Sequence, residues 1–107
     1  MTGFDDREKG FEKKFSQDQE AAFRAKARRN HLFGLWAAEE MGLEGSAAED
    51  YAKPLISAAL HKGGDEALLK RVATDLADKG VKRDAARISM ELERCMAEAK
   101  KQLGQGG

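Results

Sequence analysis

The sequence predicts an all-α fold, a four-helix bundle with a mobile N-terminal arm. Three observations indicate this class. Charged residues make up 36% of the 107 residues and hydrophobic residues 41%, a balance that favours helices with large solvated faces. The chain has one Pro and few β-branched residues, which also favours helices over strands. Apolar residues recur at three- and four-residue steps, the period of an amphipathic helix.

The first helix of the bundle is predicted at about residues 17–41. Ser16 and Gln19 have the spacing of a capping box, which marks a helix start. The apolar stripe that follows is broad, so we expect this helix to be the central one, with Trp36 buried as a core anchor. The stripe contains Phe23, Ala27, Leu35, Ala38 and Met41, and it is widened by Leu32, Phe33 and Trp36.

The second helix is predicted at about residues 47–62. Ser46 and Glu49 have capping-box spacing at its start, and the pair Gly63-Gly64 breaks the pattern at its end. Pro54 lies inside this segment, where a proline removes one backbone hydrogen bond and crowds the preceding turn. We therefore expect a kink at Pro54 or a later start of the helix.

The third and fourth helices are predicted at about residues 65–79 and 82–103. Asp65 is placed to cap the third helix, and Gly80 is placed for a left-handed C-terminal cap. Short connections favour antiparallel neighbours, so the four helices form a bundle of residues 16–104, followed by a flexible tail at 105–107. The fourth helix has the clearest apolar stripe, made of Val81, Ala85, Ile88, Leu92, Cys95 or Met96, Ala99 and Leu103.

Residues 1–15 form a separate segment, the N-terminal arm. Charged residues dominate the chain from residue 4 to residue 20, and the only large apolar residues there are Phe4, Phe11 and Phe15. Such a segment buries too little surface to fold alone, so we expect the arm to be disordered or partly helical when free. In a helix the three phenylalanines share one face, which suits a hydrophobic groove on another protein.

Composition and motifs argue against several classes of function. The 19 basic and 19 acidic side chains cancel, so no overall field steers the protein to nucleic acid or anionic lipid. The lone Cys95 and the lack of a signal-like segment indicate a cytosolic protein, and no stretch is apolar for long enough to enter a membrane. We expect no cofactor, metal or catalytic site, because His31, His61 and Cys95 lack further ligands at zinc-site spacing and no catalytic motif occurs.

One run of cations leaves a second function open. Arg24, Lys26, Arg28 and Arg29 occur with no acid between residues 21 and 38, a pattern that would also suit a small nucleic-acid-associated helical protein. We prefer the interpretation that these cations lie on a solvated helix face and meet acids of neighbouring helices. A third alternative, a bundle that binds an adenine nucleotide weakly, has no motif to support it.

Two blocks of residues carry a family resemblance. The first is Phe4-Asp5-Asp6-Arg7-Glu8 with Phe11-Glu12 and Lys14-Phe15, and the second is Ala27-Arg28-Arg29-Asn30 followed by Leu32, Gly34, Leu35, Trp36, Ala37 and Ala38. Together they resemble the zeta subunit, the inhibitor of the F1-ATPase of alphaproteobacterial ATP synthases. The resemblance continues more loosely through Tyr51-Ala52-Lys53 and Gly64-Asp65-Glu66 to the last helix.

The resemblance implies an inhibitor of an enzyme and not an enzyme. Its partner would be the F1 sector, and its arm would enter an interface between catalytic and non-catalytic subunits near the central stalk and block ATP hydrolysis. The protein would then be cytoplasmic and peripheral to the inner membrane through F1, with no nucleic acid bound and no direct membrane insertion. The residues implied in inhibition are Phe4, Asp5, Asp6, Arg7, Glu8, Phe11, Lys14 and Phe15, with a secondary contact at Arg24, Arg28, Arg29 and Asn30.

Overall fold

Four α-helices account for most of the molecule in a computed structural model, which describes residues 2–104 and, within them, side chains from Gln19 onward. No strand occurs in this part of the chain, so the predicted all-α class with four helices is confirmed. The helices are α1 (Thr2–Glu40), α2 (Gly45–Ile56), α3 (Gly64–Asp78) and α4 (Ala85–Gln102), and a 3-10 turn at Ser57–Leu60 follows α2.

The helices alternate in direction, as side-chain contacts between them establish. Arg28 near the middle of α1 bonds Gln102 at the end of α4, whereas Glu40 at the end of α1 pairs with Arg83 just before α4. The same crossed pattern relates α1 to α2 and α2 to α3. Short connections at 41–44, 61–63 and 79–84 make this up-down-up-down order possible.

Several helix ends differ from the prediction. α1 begins at Thr2 and not near residue 17, so the segment predicted as an arm continues the first helix. The predicted caps at Ser46 and Asp65 are wrong, because Glu44 and Gly63 precede α2 and α3 and neither makes a side-chain cap hydrogen bond. Asp65 is drawn into an ion pair with α1 instead.

The predicted C-terminal cap at Gly80 is confirmed. Gly80 has a φ of 75°, a left-handed conformation that glycine adopts without strain. The Gly80 amide donates to the carbonyl of Ala77 and the Val81 amide to that of Leu76, so the last carbonyls of α3 are satisfied. α4 starts at Ala85 because the Asp84 carboxylate accepts the Arg87 amide at 2.7 Å.

The core lies where all four helices meet. Its buried residues are Phe33, Ala37, Leu55, Leu68, Val72, Leu76, Ile88, Leu92 and Cys95. Phe33 is fully buried, whereas Trp36 is only partly buried and stacks on Phe33 with ring centroids 5.7 Å apart. Trp36 therefore packs against the core as predicted, but Phe33 and not Trp36 is the fully buried aromatic residue of α1. The face that α1 buries runs through Ala25, Arg29 and Phe33, and this rotation leaves Phe23 at 42% exposure.

The α1–α2 crossing is very close because glycine meets alanine there. A Cβ atom at Gly34 would lie 2.8 Å from both Cα and Cβ of Ala52 and 3.1 Å from Leu55. Pro54 lies inside α2, which already begins at Gly45, so the predicted alternative of a later helix start does not occur. Beyond Pro54 the chain passes into the 3-10 turn, where the Ser57 hydroxyl donates to the Pro54 carbonyl at 2.9 Å. Among the described helices, none combines the length and apolar character that crossing a membrane requires.

The substitution Gly34→Ala tests this crossing. The added methyl group overlaps the Ala52 backbone, so we expect the free energy of unfolding to fall by about 1 to 3 kcal/mol, although alanine is the better helix former. Ala97→Ser is the control, because it adds one atom at an exposed position of α4. Urea unfolding measures both, and an unchanged or higher midpoint for Gly34→Ala would contradict the close crossing.

Candidate functional site

The residues implied in inhibition lie in the first four turns of α1. Their backbone is helical, and their side chains lie outside the described part of the chain, so the contacts of these side chains stay predictions. At 100° per residue the helix brings positions 4, 11 and 15 within a sector of about 40°. The set comprises Phe4, Asp5, Asp6, Arg7, Glu8, Phe11, Lys14 and Phe15.

Positions in the arm share a helical register with the face that α1 turns to the bundle. Phe15 precedes the fully buried Phe33 by 18 residues, and Phe11 precedes the buried Arg29 by the same number. Eighteen residues are five complete turns of an α-helix. Positions 11 and 15 of the arm therefore lie on the same side of the helix as the α1 residues that contact the bundle.

Arg29 and Asn30 form a buried polar junction with α2 and α3. The Arg29 guanidinium is 5% exposed and donates to both carboxylate oxygens of Asp65, at 2.6 and 3.2 Å. It also donates to the Asn30 side-chain oxygen at 3.0 and 2.9 Å. Asn30, fully buried, in turn donates to the Leu55 carbonyl at 3.2 Å. One pair of adjacent residues thus joins α1 to two other helices.

The opposite charges of Arg29 and Asp65 stabilise each other at the junction. Hydrogen bonding to Arg29 is the main cause that lowers the pKa of Asp65 below its ordinary value, and the opposing effect of burial is smaller. A buried guanidinium is tolerated when its donors are satisfied and a carboxylate is near. No buried side-chain nitrogen or oxygen in the described residues lacks a partner, so the junction is complete.

The predicted secondary contact stays a prediction. Two of its residues, Arg29 and Asn30, are buried in the junction, where they support the fold. Arg24 and Arg28 are exposed, and Arg28 donates to Gln102 at 2.7 Å. Of the four cations in the basic run, Arg24, Lys26 and Arg28 are exposed and Arg29 is buried. The surface on which the nucleic-acid alternative depends therefore has three cations and not four.

Other contacts hold the helices around this junction. They include His31 to Glu49 at 2.8 Å between α1 and α2, and the Tyr51 hydroxyl to Asp75 at 2.7 Å between α2 and α3. Burial is the main cause that raises the pKa of Tyr51, and the bond to Asp75 adds to it. Burial also raises the pKa of the Cys95 thiol to about 11, so the thiol stays protonated and unreactive at neutral pH. In the part of the chain that the structure describes, no three metal-ligating side chains converge.

The junction is what sequence reasoning missed. Arg29 was assigned to the solvated face, and Asp65 was assigned to a helix cap. A signal did exist, since Arg29 is four residues from Phe33 and hence one turn away on the same face. Glu91 lies outside the predicted apolar stripe of α4, yet it is buried and pairs with Arg94 one turn later.

Comparisons with known proteins give one match. The model of the family described as ATPase inhibitor subunit zeta matches residues 1–102 of the chain. The match therefore includes both the arm and the bundle. Comparison with curated proteins and with solved structures gives no match.

Asp65→Asn tests the junction. It removes the charge opposite buried Arg29, so we expect the free energy of unfolding at neutral pH to fall by about 1 to 3 kcal/mol, toward the low end because Asp65 is half-exposed. The lowered pKa means that the stability from Asp65 is fully present above its ordinary pKa and is lost as the pH falls through the lowered value.

The difference between the wild type and Asp65→Asn should accordingly shrink toward zero in acid. Denaturant titrations between pH 7 and pH 2 measure it. Glu66→Gln is the matched control, because Glu66 is the exposed acidic neighbour in the same turn. A difference that is constant with pH, or equal to that of Glu66→Gln, would rule out the ion pair as the cause.

Proposed function

The chain belongs to the ATPase inhibitor subunit zeta family, and we propose that it inhibits the F1-ATPase of a bacterial ATP synthase by inserting its arm between subunits. The family is one of inhibitors, so the protein is a regulator of an enzyme and not itself an enzyme. The finer proposal is that residues 1–15 enter the interface between a catalytic and a non-catalytic subunit near the central stalk. An arm lodged there obstructs rotation and stops ATP hydrolysis.

The length of α1 is the observation that carries this proposal. Among its described side chains, the first that is fully buried is Ala25, and Gln19, Glu20, Ala22, Phe23 and Arg24 are all exposed. The 23 helical residues before Ala25, from Thr2, extend about 34 Å at 1.5 Å per residue. A helix of that reach can enter a protein interface while the bundle stays outside.

The core also supports a division in which the bundle provides stability and the arm binds the partner. Among the residues whose side chains are described, the hydrophobic core cluster begins at Phe33 and has members from all four helices. The buried junction of Arg29, Asn30 and Asp65 also lies downstream of the arm. Because these interactions stabilise the bundle without residues 1–15, the sequence of the arm is free to be adapted to a partner.

Burial of the arm phenylalanines can supply the binding free energy that an inhibitor of this kind needs. An inhibitor of a cycling motor must bind one conformation more tightly than the others, and each tenfold preference needs about 1.4 kcal/mol. Burying one phenylalanine in a groove contributes about 1.5 to 3 kcal/mol before ordering costs. Phe4, Phe11 and Phe15 together can therefore supply a preference of several orders of magnitude. Charged neighbours such as Asp5 and Arg7 would set the orientation of the arm.

Deleting residues 1–15 tests the proposal. We expect inhibition of ATP hydrolysis by F1 to be lost, while the melting transition stays within a few degrees because the core is intact. In the full chain, Phe11→Ala with Phe15→Ala should raise the concentration for half-maximal inhibition at least tenfold.

The matched control is Met90→Ala, which also shortens an exposed apolar side chain but lies on α4. It should inhibit like the wild type. Circular dichroism verifies the helicity of every variant. A truncated protein that inhibits F1 as well as the full chain would make the bundle surface the inhibitor.

A further inference from the structure

Exposed apolar side chains are concentrated at the end of the bundle from which the arm emerges. Among the described residues, four large hydrophobic side chains are exposed, namely Phe23 at 42%, Leu60 at 67%, Met90 at 64% and Leu103 at 39%. Three of them, all except Met90, lie at this end. Exposed apolar side chains that share one end of a molecule, with polar residues around them, are candidates for a protein contact surface.

The contacts of neighbouring residues fix the position of each. Leu103 follows Gln102, which bonds Arg28 of α1. Leu60 ends the 3-10 turn beyond Leu55, whose carbonyl accepts the Asn30 side chain. Phe23 precedes Arg29 by six residues on α1, about 9 Å farther toward the arm. We call the surface of Phe23, Leu60 and Leu103 the arm-proximal end.

The arm-proximal end also has a basic rim. Of the carboxylates at this end, Asp65 is paired with Arg29, and Glu20 and Glu66 are exposed. The exposed cations outnumber these acids. The opposite end of the bundle is mixed in sign, since Glu40 pairs with Arg83 and Asp84 caps α4. The cations of the rim are Arg24, Lys26, Arg28, Lys62, Lys100 and Lys101.

The register of α1 relates this surface to the arm. Positions 11 and 15 lie five turns from Arg29 and Phe33, which face the bundle. A protein surface bound along the phenylalanine line of the arm therefore lies directly beyond the ends of the other helices. Those ends carry Leu60 and Leu103, so a partner bound along the arm would also face these two side chains.

We propose that the arm-proximal end is a second contact with F1, which fits an acidic surface with an apolar centre beside the groove that takes the arm. This inference rests on the proposed function, because it takes the arm to bind F1 along its phenylalanine line. It enlarges the secondary contact at Arg24 and Arg28 to include Phe23, Leu60, Leu103 and Lys62. The contact would hold the bundle at the subunit surface and keep the arm from withdrawing.

Full-chain variants test the surface. Leu60→Ser with Leu103→Ser should raise the concentration for half-maximal inhibition of F1 about tenfold, since both side chains lose their apolar contact. Met90→Ser is the matched control, because Met90 is as exposed as Leu60 but lies outside the surface, and it should change potency less than twofold. Lys62→Glu with Lys101→Glu should weaken inhibition at low salt, with a smaller loss at high salt.

Phe11→Ser with Phe15→Ser in the same assay separates the two proposals. If the arm variant loses potency and Leu60→Ser with Leu103→Ser keeps it, the second contact is overturned and the proposed function stands. If the arm variant keeps potency, the proposed function is overturned instead. A loss with Met90→Ser equal to that at Leu60 and Leu103 would also overturn the second contact, because the effect would then follow any loss of exposed apolar surface.

Discussion

The salt bridge of Arg29 with Asp65, supported by Asn30, is the constraint on which the rest of the molecule depends. Arg29 is almost completely buried, and leaving its charge without a partner costs about 1 to 3 kcal/mol. Sliding α1 along its axis by one turn would separate Arg29 from Asp65 and Asn30 from the Leu55 carbonyl. The junction therefore fixes the axial position of α1, and with it the length of helix that extends past the bundle.

Close packing fixes the rotation of α1 in the same way. Gly34 lies against Ala52 so closely that no side chain fits between them, and Ala37 and Ala38 are fully buried. Small residues let the two helix backbones approach, and any rotation would bring larger side chains into the contact. Because one continuous helix joins this tightly packed segment to the arm, the helical register of positions 4, 11 and 15 is set relative to the bundle by packing more than five turns away.

Periodicity predicted the helices well where side chains follow a simple stripe. Ile88, Leu92, Cys95 and Ala99 of α4 are buried as their spacing indicates. Periodicity did less well for α1, whose apolar residues cover much of its circumference. Small differences in rotation then decided that Phe33 is buried and that Trp36 is partly exposed. Helix starts escaped prediction, because Asp65 forms a tertiary ion pair and the cap of α4 is Asp84.

The candidate site was also predicted only in part from the sequence. A resemblance in two motif blocks identified the family, and the match over residues 1–102 supports it. Sequence motifs alone could not separate residues that bind a partner from residues that support the fold. Arg28 and Arg29 are adjacent in one motif, yet Arg28 is exposed and Arg29 is buried. Only the three-dimensional contact with Asp65 distinguishes their roles.

Hydrogen–deuterium exchange of the full chain, free and bound to F1, tests the central claim most directly, because it reports protection amide by amide. We expect amides of residues 2–15 to gain strong protection on binding, while amides from Phe33 to Glu40, already protected by the core, change little. Protection gained on α2 and α3 with none in residues 2–15 would contradict the insertion of the arm.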